Sequence, residues 1–71
     1  MAATDQDKLR ALLPHWIEHN SDHATEFRQW AEKARAAGRD EVAQEIETAA
    51  QELDCVNKTL SAALRKLGPT A

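Results

Sequence analysis

Three histidines lie close together in a sequence that contains no others. They are His15, His19 and His23, each four residues after the last. An α-helix advances about 100° per residue, so side chains four residues apart lie one above the other on one face. Two such imidazoles can bind one transition-metal ion, as they do in helical zinc sites. The spacing predicts a metal site, with His19 and His23 as the first ligand pair and His15 as a third candidate.

A heptad repeat indicates the helices that must position these histidines. Hydrophobic positions recur in alternating steps of four and three residues, the period of helices that pack by coiled-coil rules. The first half of this repeat runs through Leu9, Leu13, Trp16, Asn20, His23, Phe27, Trp30 and Ala34. The second half runs through Val42, Ile46, Ala49, Leu53, Val56, Leu60, Ala63 and Leu67. We call these two rows the predicted seam.

The stretch between the two halves favours a tight connection. Gly38 can end a helix in the left-handed conformation, and Asp40 can cap the next helix. A connection this short makes the two helices antiparallel, and the second helix is expected to stop at Gly68 and Pro69. The sequence therefore predicts an all-α antiparallel helical hairpin, a single domain over residues 1–71 with frayed tails at 1–4 and 69–71.

Two features of the first half leave an alternative open. Pro14 removes a backbone donor and clashes with the carbonyl four residues earlier, so a helix either kinks or restarts there. Residues 20–22 are good N-caps and poor helix formers, which makes them a second candidate break. The repeat continues across Pro14, and this favours a kinked first helix over three helices.

A hairpin of this size has a small core, because a short chain buries a small fraction of its surface. A second strip of mainly small apolar residues runs beside the predicted seam. It consists of Ile17, Ala24, Ala31, Ala43, Ala50 and Leu64. Small side chains there would let another helix pair approach closely, so the strip predicts a homodimer that forms a four-helix bundle. The simpler interpretation is that alanine only fills a helix surface.

Pairing the two halves of the predicted seam places further metal ligands near the histidines. Glu52 and Cys55 would lie within about a turn of His19 and His23. Imidazole, carboxylate and thiolate together suit zinc or nickel. The predicted ligand set is therefore His19, His23, His15, Glu52 and Cys55.

Other polar residues near this site also have two interpretations. Glu18 and Glu26 could accept hydrogen bonds that orient the histidine rings. Asn20 could join the same network, or it could fix the register of the two helices, a known use of a polar seam residue. In the alternative interpretation the histidines are solvated partners of carboxylates, and Cys55 is an inert surface thiol.

Composition limits the classes of function. The net charge of −3 offers no basic surface for nucleic acid. No apolar run approaches the roughly 20 residues that cross a bilayer, and the first residues do not resemble a signal peptide. One cysteine cannot form an internal disulfide. We therefore expect a cytoplasmic protein that binds neither nucleic acid nor membranes.

Catalysis has little support in the sequence. No glycine-rich phosphate loop is present, and no third group is evident that would orient a cysteine–histidine pair. We expect that the protein is not an enzyme.

Residues 12–38 resemble a small family of uncharacterised helical domains from bacteria and archaea. The shared pattern is H-W-x-E-H-N-x-x-H-x-x-x-F-x-x-W-A. It is carried here by His15, Trp16, Glu18, His19, Asn20, His23, Phe27, Trp30 and Ala31. Such domains occur alone or joined to small nickel-binding maturation proteins, so the resemblance implies a metal-handling context, nickel first, with a metalloprotein maturation partner. It implies ligand roles for His15, His19 and His23 only.

These observations favour a small helical protein that binds nickel or zinc for sequestration or delivery. The alternative is a structural protein–protein interaction module whose histidines are incidental.

Overall fold

The computed structural model describes residues 3–68, which form two helices joined by a short turn. Helix α1 spans Asp5–Ala36 and helix α2 spans Asp40–Leu67. They pack against each other as an antiparallel hairpin, and the described residues contain no strand. The predicted all-α hairpin is confirmed. Residues 1–2 and 69–71, which include Pro69 and most of the predicted tails, lie outside the described residues.

Helix α1 runs without interruption through Pro14 and through residues 20–22. The prediction of one long first helix is therefore confirmed and the three-helix alternative is wrong, while the kink near Pro14 stays a prediction. A long helix can tolerate a proline and several poor helix formers because most of its stability comes from packing against α2, not from local propensity. Continuity of α1 keeps all three histidines on one rigid element.

The start of α1 is held by a capping box that the sequence analysis assigned to a frayed tail. The Thr4 hydroxyl accepts a hydrogen bond from the Asp7 backbone N–H at 3.1 Å, and the Asp7 carboxylate accepts one from the Thr4 backbone N–H at 3.2 Å. Two backbone donors that the helix leaves unpaired are thereby satisfied. The T-x-x-D spacing of Thr4 and Asp7 is the sequence pattern that could have predicted this capping box.

The turn confirms the role predicted for Gly38 and corrects the one predicted for Asp40. Gly38 has a φ of +79°, and the Arg39 backbone N–H donates to the Ala34 carbonyl while Gly38 donates to Arg35, a Schellman motif. Arg39 occupies the N-cap position of α2 without a side-chain cap, and Asp40 is the first helical residue. Its carboxylate there still complements the positive end of the helix dipole.

The interior of the hairpin is built from alanines. The buried apolar side chains of residues 3–68 are Leu13, Ala24, Ala31, Ala43 and Ala50. Four of these five belong to the strip that the sequence analysis placed on an outer surface as a dimer interface. The strip instead lies between α1 and α2, and we call this contact the buried seam.

The predicted seam is therefore only half right. Its inward half lies at least partly buried between the helices: Leu13, Asn20, Phe27, Ala34, Ile46, Leu53, Leu60 and Leu67. Its other half lies to one side of the contact: Leu9, Trp16, His23, Trp30, Val42, Ala49, Val56 and Ala63. Small residues let the two backbones lie closer together than tryptophans would. The helices therefore pack through their alanine rows, and each is rotated about its axis relative to the predicted packing. We call the outer half of the predicted seam the aromatic face.

The two long sides of the hairpin differ in chemistry. On one side, the ion pairs Arg28–Asp54 and Arg35–Glu47 link the helices, the second at 2.8 Å. The opposite side is the aromatic face. Neither helix in residues 3–68 has a stretch long and apolar enough to cross a membrane.

Candidate functional site

The histidines form a row along α1 at the edge of the aromatic face. The His19 and His23 rings meet edge to face with their centroids 4.5 Å apart. Their Nε2 atoms lie 3.1 Å apart. His15 is farther away, stacked on His19 with the ring centroids 6.2 Å apart. The geometry therefore pairs His19 with His23 and leaves His15 outside the pair.

The 3.1 Å separation of the two Nε2 atoms has a chemical meaning. Without a metal, one ring carries its proton on Nε2 and donates a hydrogen bond to the other, since a neutral imidazole has one donor and one acceptor. Two nitrogens this far apart could also share one ion at about 2.0–2.1 Å, with an angle of roughly 95–100° between the bonds. The pair thus has the bite of a two-histidine chelate.

Glu26 is the nearest acid to this pair. Its Oε2 lies 3.8 Å from His23 Nδ1, and both side chains are about half exposed. A carboxylate beside Nδ1 favours the tautomer that carries the proton there and leaves Nε2 free. Glu18, the other predicted acceptor, is exposed, and no hydrogen bond or ion pair joins it to a described residue.

The structure does not bring Cys55 to the histidines. Leu53 and Asn57 both face α1, and a helical residue midway between them points about 180° away. Cys55 is accordingly exposed on the outer surface of α2. The predicted position of Cys55 near the histidines depended on the predicted seam. Because the helices pack through the alanine strip instead, Cys55 faces away from α1.

Glu52 is likewise separate from the histidines. It is exposed at the α2 edge of the aromatic face, whereas His19 occupies the α1 edge, so the width of the face lies between them. Within residues 3–68, no three or more His, Cys, Asp or Glu side chains are arranged to hold a metal ion. Of the five predicted ligands, the structure brings only His19 and His23 together.

Asn20 belongs to a different network, inside the buried seam. Its amide Nδ2 donates to Asn57 Oδ1 at 3.1 Å. Asn57 Nδ2 in turn donates to the Ile17 carbonyl at 3.1 Å and to Ser21 Oγ at 3.0 Å. This arrangement matches the register-fixing interpretation of Asn20. The partner role of Asn57 was missed because the predicted seam contained Val56 and not Asn57.

The aromatic face is the largest unexpected feature of the surface. Trp30 is 55% exposed and Trp16 is 41% exposed, although both were predicted to be core residues. Near the turn, a groove of about 520 Å³ opens between the helices. Its walls are Glu26, Phe27, Trp30, Val42, Glu45, Ile46 and Ala49. Side chains from both helices line it, so the exposed rows of α1 and α2 share one face.

Comparison with known proteins places the chain in a family. Residues 9–67 match the family described as Domain of unknown function (DUF8180), and the chain belongs to that family. It is also similar to an uncharacterized protein of Archaeoglobus fulgidus, with 32% identity over 62 residues, or 87% of this chain and 98% of that protein. No solved structure matches it.

Proposed function

We propose that this protein binds a divalent transition-metal ion through His19 and His23, for sequestration or delivery. The observation that carries the proposal is the 3.1 Å separation of their Nε2 atoms. The two Nε2 atoms already lie close enough to bind one ion together, so the side chains need less further ordering on binding. Glu26 Oε2 lies 3.8 Å from His23 Nδ1, and a small side-chain movement that closed this gap to a hydrogen bond would favour the metal-binding tautomer of that ring.

The chemistry of the pair suits particular metals. Imidazole nitrogens favour nickel, copper and zinc over magnesium or calcium. A bond angle of roughly 95–100° lies between the cis angle of an octahedral site and the angle of a tetrahedral one, so both nickel and zinc are accommodated. The sequence resemblance to domains joined to nickel-binding maturation proteins favours nickel. In this proposal the protein works in the cytoplasm beside such a partner.

A two-histidine site leaves several coordination positions to water or to a recipient protein. Such a site holds its metal less firmly than a closed four-ligand site. Incomplete coordination favours transfer, because a recipient can add its own ligands before the histidines leave. Delivery therefore fits the geometry better than long-term storage.

The test is calorimetric titration of protein without an affinity tag, using nickel and zinc salts at about pH 7.5. His19→Ala and His23→Ala should each weaken binding at least as much as loss of an outer-shell partner, which costs roughly 10–100-fold. His15→Ala is the matched control, since it removes an exposed imidazole from the same helix face, and it should change affinity by less than about threefold. Binding should weaken as the pH falls, because protons compete with the metal for its ligand nitrogens.

Absence of saturable binding at neutral pH would contradict the proposal. An effect of His15→Ala equal to that of His23→Ala would contradict the ligand assignment.

The second candidate function is a protein–protein interaction module in which the histidines are incidental. The exposed tryptophans of the aromatic face favour it, because soluble monomers rarely expose a continuous apolar surface of this kind.

A further inference from the structure

We infer that the aromatic face binds a second copy of this chain, so that two hairpins form a four-helix bundle. This inference does not depend on metal binding. It also replaces the interface predicted from the sequence, because the alanine strip is already used inside the hairpin.

The first argument comes from the division of apolar residues between inside and outside. Within residues 3–68, the five buried side chains are four alanines and Leu13. Several large apolar side chains of the described residues, which could extend this core, are exposed instead. They include Leu9, Leu12, Trp16, Trp30, Val42 and Val56. A hairpin built this way has the core of a larger assembly, with half of that core exposed.

The second argument is the size of the surface. The hairpin is 56 Å long and 19 Å wide. A second hairpin laid along it would cover an area on the order of 1,000 Å² on each copy, compared with the roughly 800 Å² per partner of a standard stable interface. The face is therefore large enough for a stable dimer.

The third argument is that the face complements itself. The α1 row carries bulky side chains, including Trp16 and Trp30, whereas the α2 row alternates valine and alanine. Packing α1 of one copy over α2 of the other places large residues over small ones, as an interdigitated core requires. Trp30 is the most exposed of the large apolar residues, and it lies beside the 520 Å³ groove near the turn. We call this dimer crosswise, because α1 of each copy lies along α2 of the other. In the crosswise dimer, Trp30 of each copy fills the groove of the other.

The crosswise arrangement puts both turns at the same end of the bundle. Lys33 lies at the α1 edge of the face, with its Nζ 4.2 Å from the centroid of the Trp30 ring, and Glu45 lines the groove at the α2 edge. Each lysine would then meet a glutamate of the other copy, an attraction at the rim that favours this orientation.

The experiment is sedimentation equilibrium of metal-free protein over about 1–100 µM. Wild type should sediment at twice the mass of one chain, and Trp30→Glu should sediment at one chain mass or dissociate at least about tenfold more readily. Gln29→Glu is the control, because it adds the same charge at the adjacent exposed residue, outside the face. Gln29→Glu should remain dimeric.

Circular dichroism separates dissociation from a failure to fold. Trp30→Glu that is monomeric and helical supports the inference directly. If the variant loses helix at low concentration but regains both helix and dimer mass at high concentration, it supports an obligate dimer. Wild type at one chain mass across the range overturns the inference, as does a Trp30→Glu variant that dissociates no more readily than wild type.

A cross-link tests the orientation. In a Cys55→Ser background, the double variant Lys33→Cys, Glu45→Cys should form a covalent dimer under mild oxidation, because the two positions meet across the crosswise interface. Either substitution alone should cross-link poorly. A dimer by mass that does not cross-link in the double variant overturns the crosswise arrangement. His19→Ala should remain dimeric, so failure of metal binding and failure of dimerisation can be distinguished.

Discussion

At the scale of single residues, two pairs of side chains organise this protein, and they have different roles. His19 and His23 meet at the surface, where solvent and ligands can reach them. Asn20 and Asn57 meet between the helices, where a polar group without a partner would be costly. The amide pair sets which turns of α1 and α2 lie opposite each other. It therefore fixes which part of α2 lies beside the histidine pair on α1.

The asparagine pair can be tested by a double-mutant cycle. Asn20→Ala and Asn57→Ala should each destabilise the fold by roughly 1–3 kcal/mol, because each leaves a partly buried polar partner unsatisfied. The double variant should lose less than the sum, with a coupling of about 1 kcal/mol. Urea denaturation measures all three values. Ser21→Ala, which removes only one acceptor at the edge of the network, should cost less than either asparagine. Fully additive losses would mean that the two amides do not act as a pair.

At the scale of helices, end contacts define where each element starts and stops. Thr4 and Asp7 close the start of α1, and Gly38 ends that helix in a left-handed conformation. Arg10 reaches from α1 to the Leu67 and Gly68 carbonyls at the end of α2, at 3.5 Å each. These contacts satisfy backbone groups that helices leave unpaired, and they hold the open end of the hairpin together.

The cap of α1 should make stability depend on pH. The hydrogen bond that the Asp7 carboxylate accepts from the Thr4 backbone N–H, with a smaller contribution from the Thr4 hydroxyl, lowers the pKa of Asp7 below its ordinary value. A pKa lower in the folded than in the unfolded state stabilises the fold above the unfolded value, near pH 4, and this contribution is lost as the pH falls through the folded pKa.

Thermal unfolding between about pH 6 and pH 2 tests this. Asp7→Asn should lower the melting temperature at neutral pH and show a shallower fall in acid than wild type. Asp5→Asn removes a carboxylate from the same helical turn without breaking the Thr4 hydrogen bonds, so its acid dependence should resemble that of wild type. Parallel curves for wild type and Asp7→Asn would rule out a contribution from the cap.

At the scale of the whole molecule, the hairpin buries mainly alanines completely and leaves both of its tryptophans exposed. Alanines make a close helix contact but bury little apolar area, and burial is the main source of folding free energy. The aromatic face therefore has a thermodynamic role as well as a recognition role. Covering it with a second copy would supply the burial that one hairpin lacks, so folding and association should be coupled.

Coupling predicts a melting temperature that depends on protein concentration. Raising the concentration about 100-fold should raise the melting temperature of wild type by about 5–10 °C, since mass action favours the associated folded form. Trp30→Glu should melt at a temperature that does not change with concentration. Differential scanning calorimetry of both proteins at two concentrations makes the comparison. A constant melting temperature for wild type would contradict the coupling.

Much of this fold follows from the sequence alone. The heptad spacing predicts two long helices, Gly38 predicts the turn, and the short connection predicts an antiparallel hairpin, because spacing and turn chemistry are local properties of the chain. The pairing of His19 with His23 also follows from their sequence spacing, since residues four apart on a helix are neighbours in any tertiary arrangement.

The sequence did not predict which side of each helix faces the other helix, because this depends on the tertiary packing. Two adjacent rows, one bulky and one rich in alanine, have the same heptad spacing, so the period alone does not distinguish them. Which row is buried depends on how closely the two backbones can approach, and this is a property of both helices together. Alanines such as Ala24 and Ala50 allow the closest approach, and they are the residues buried between the helices. Relative to the predicted seam, each helix is rotated about its own axis. This rotation places Cys55 and Glu52 away from the histidines and leaves Trp16 and Trp30 exposed, because all side chains of a rigid helix change direction together.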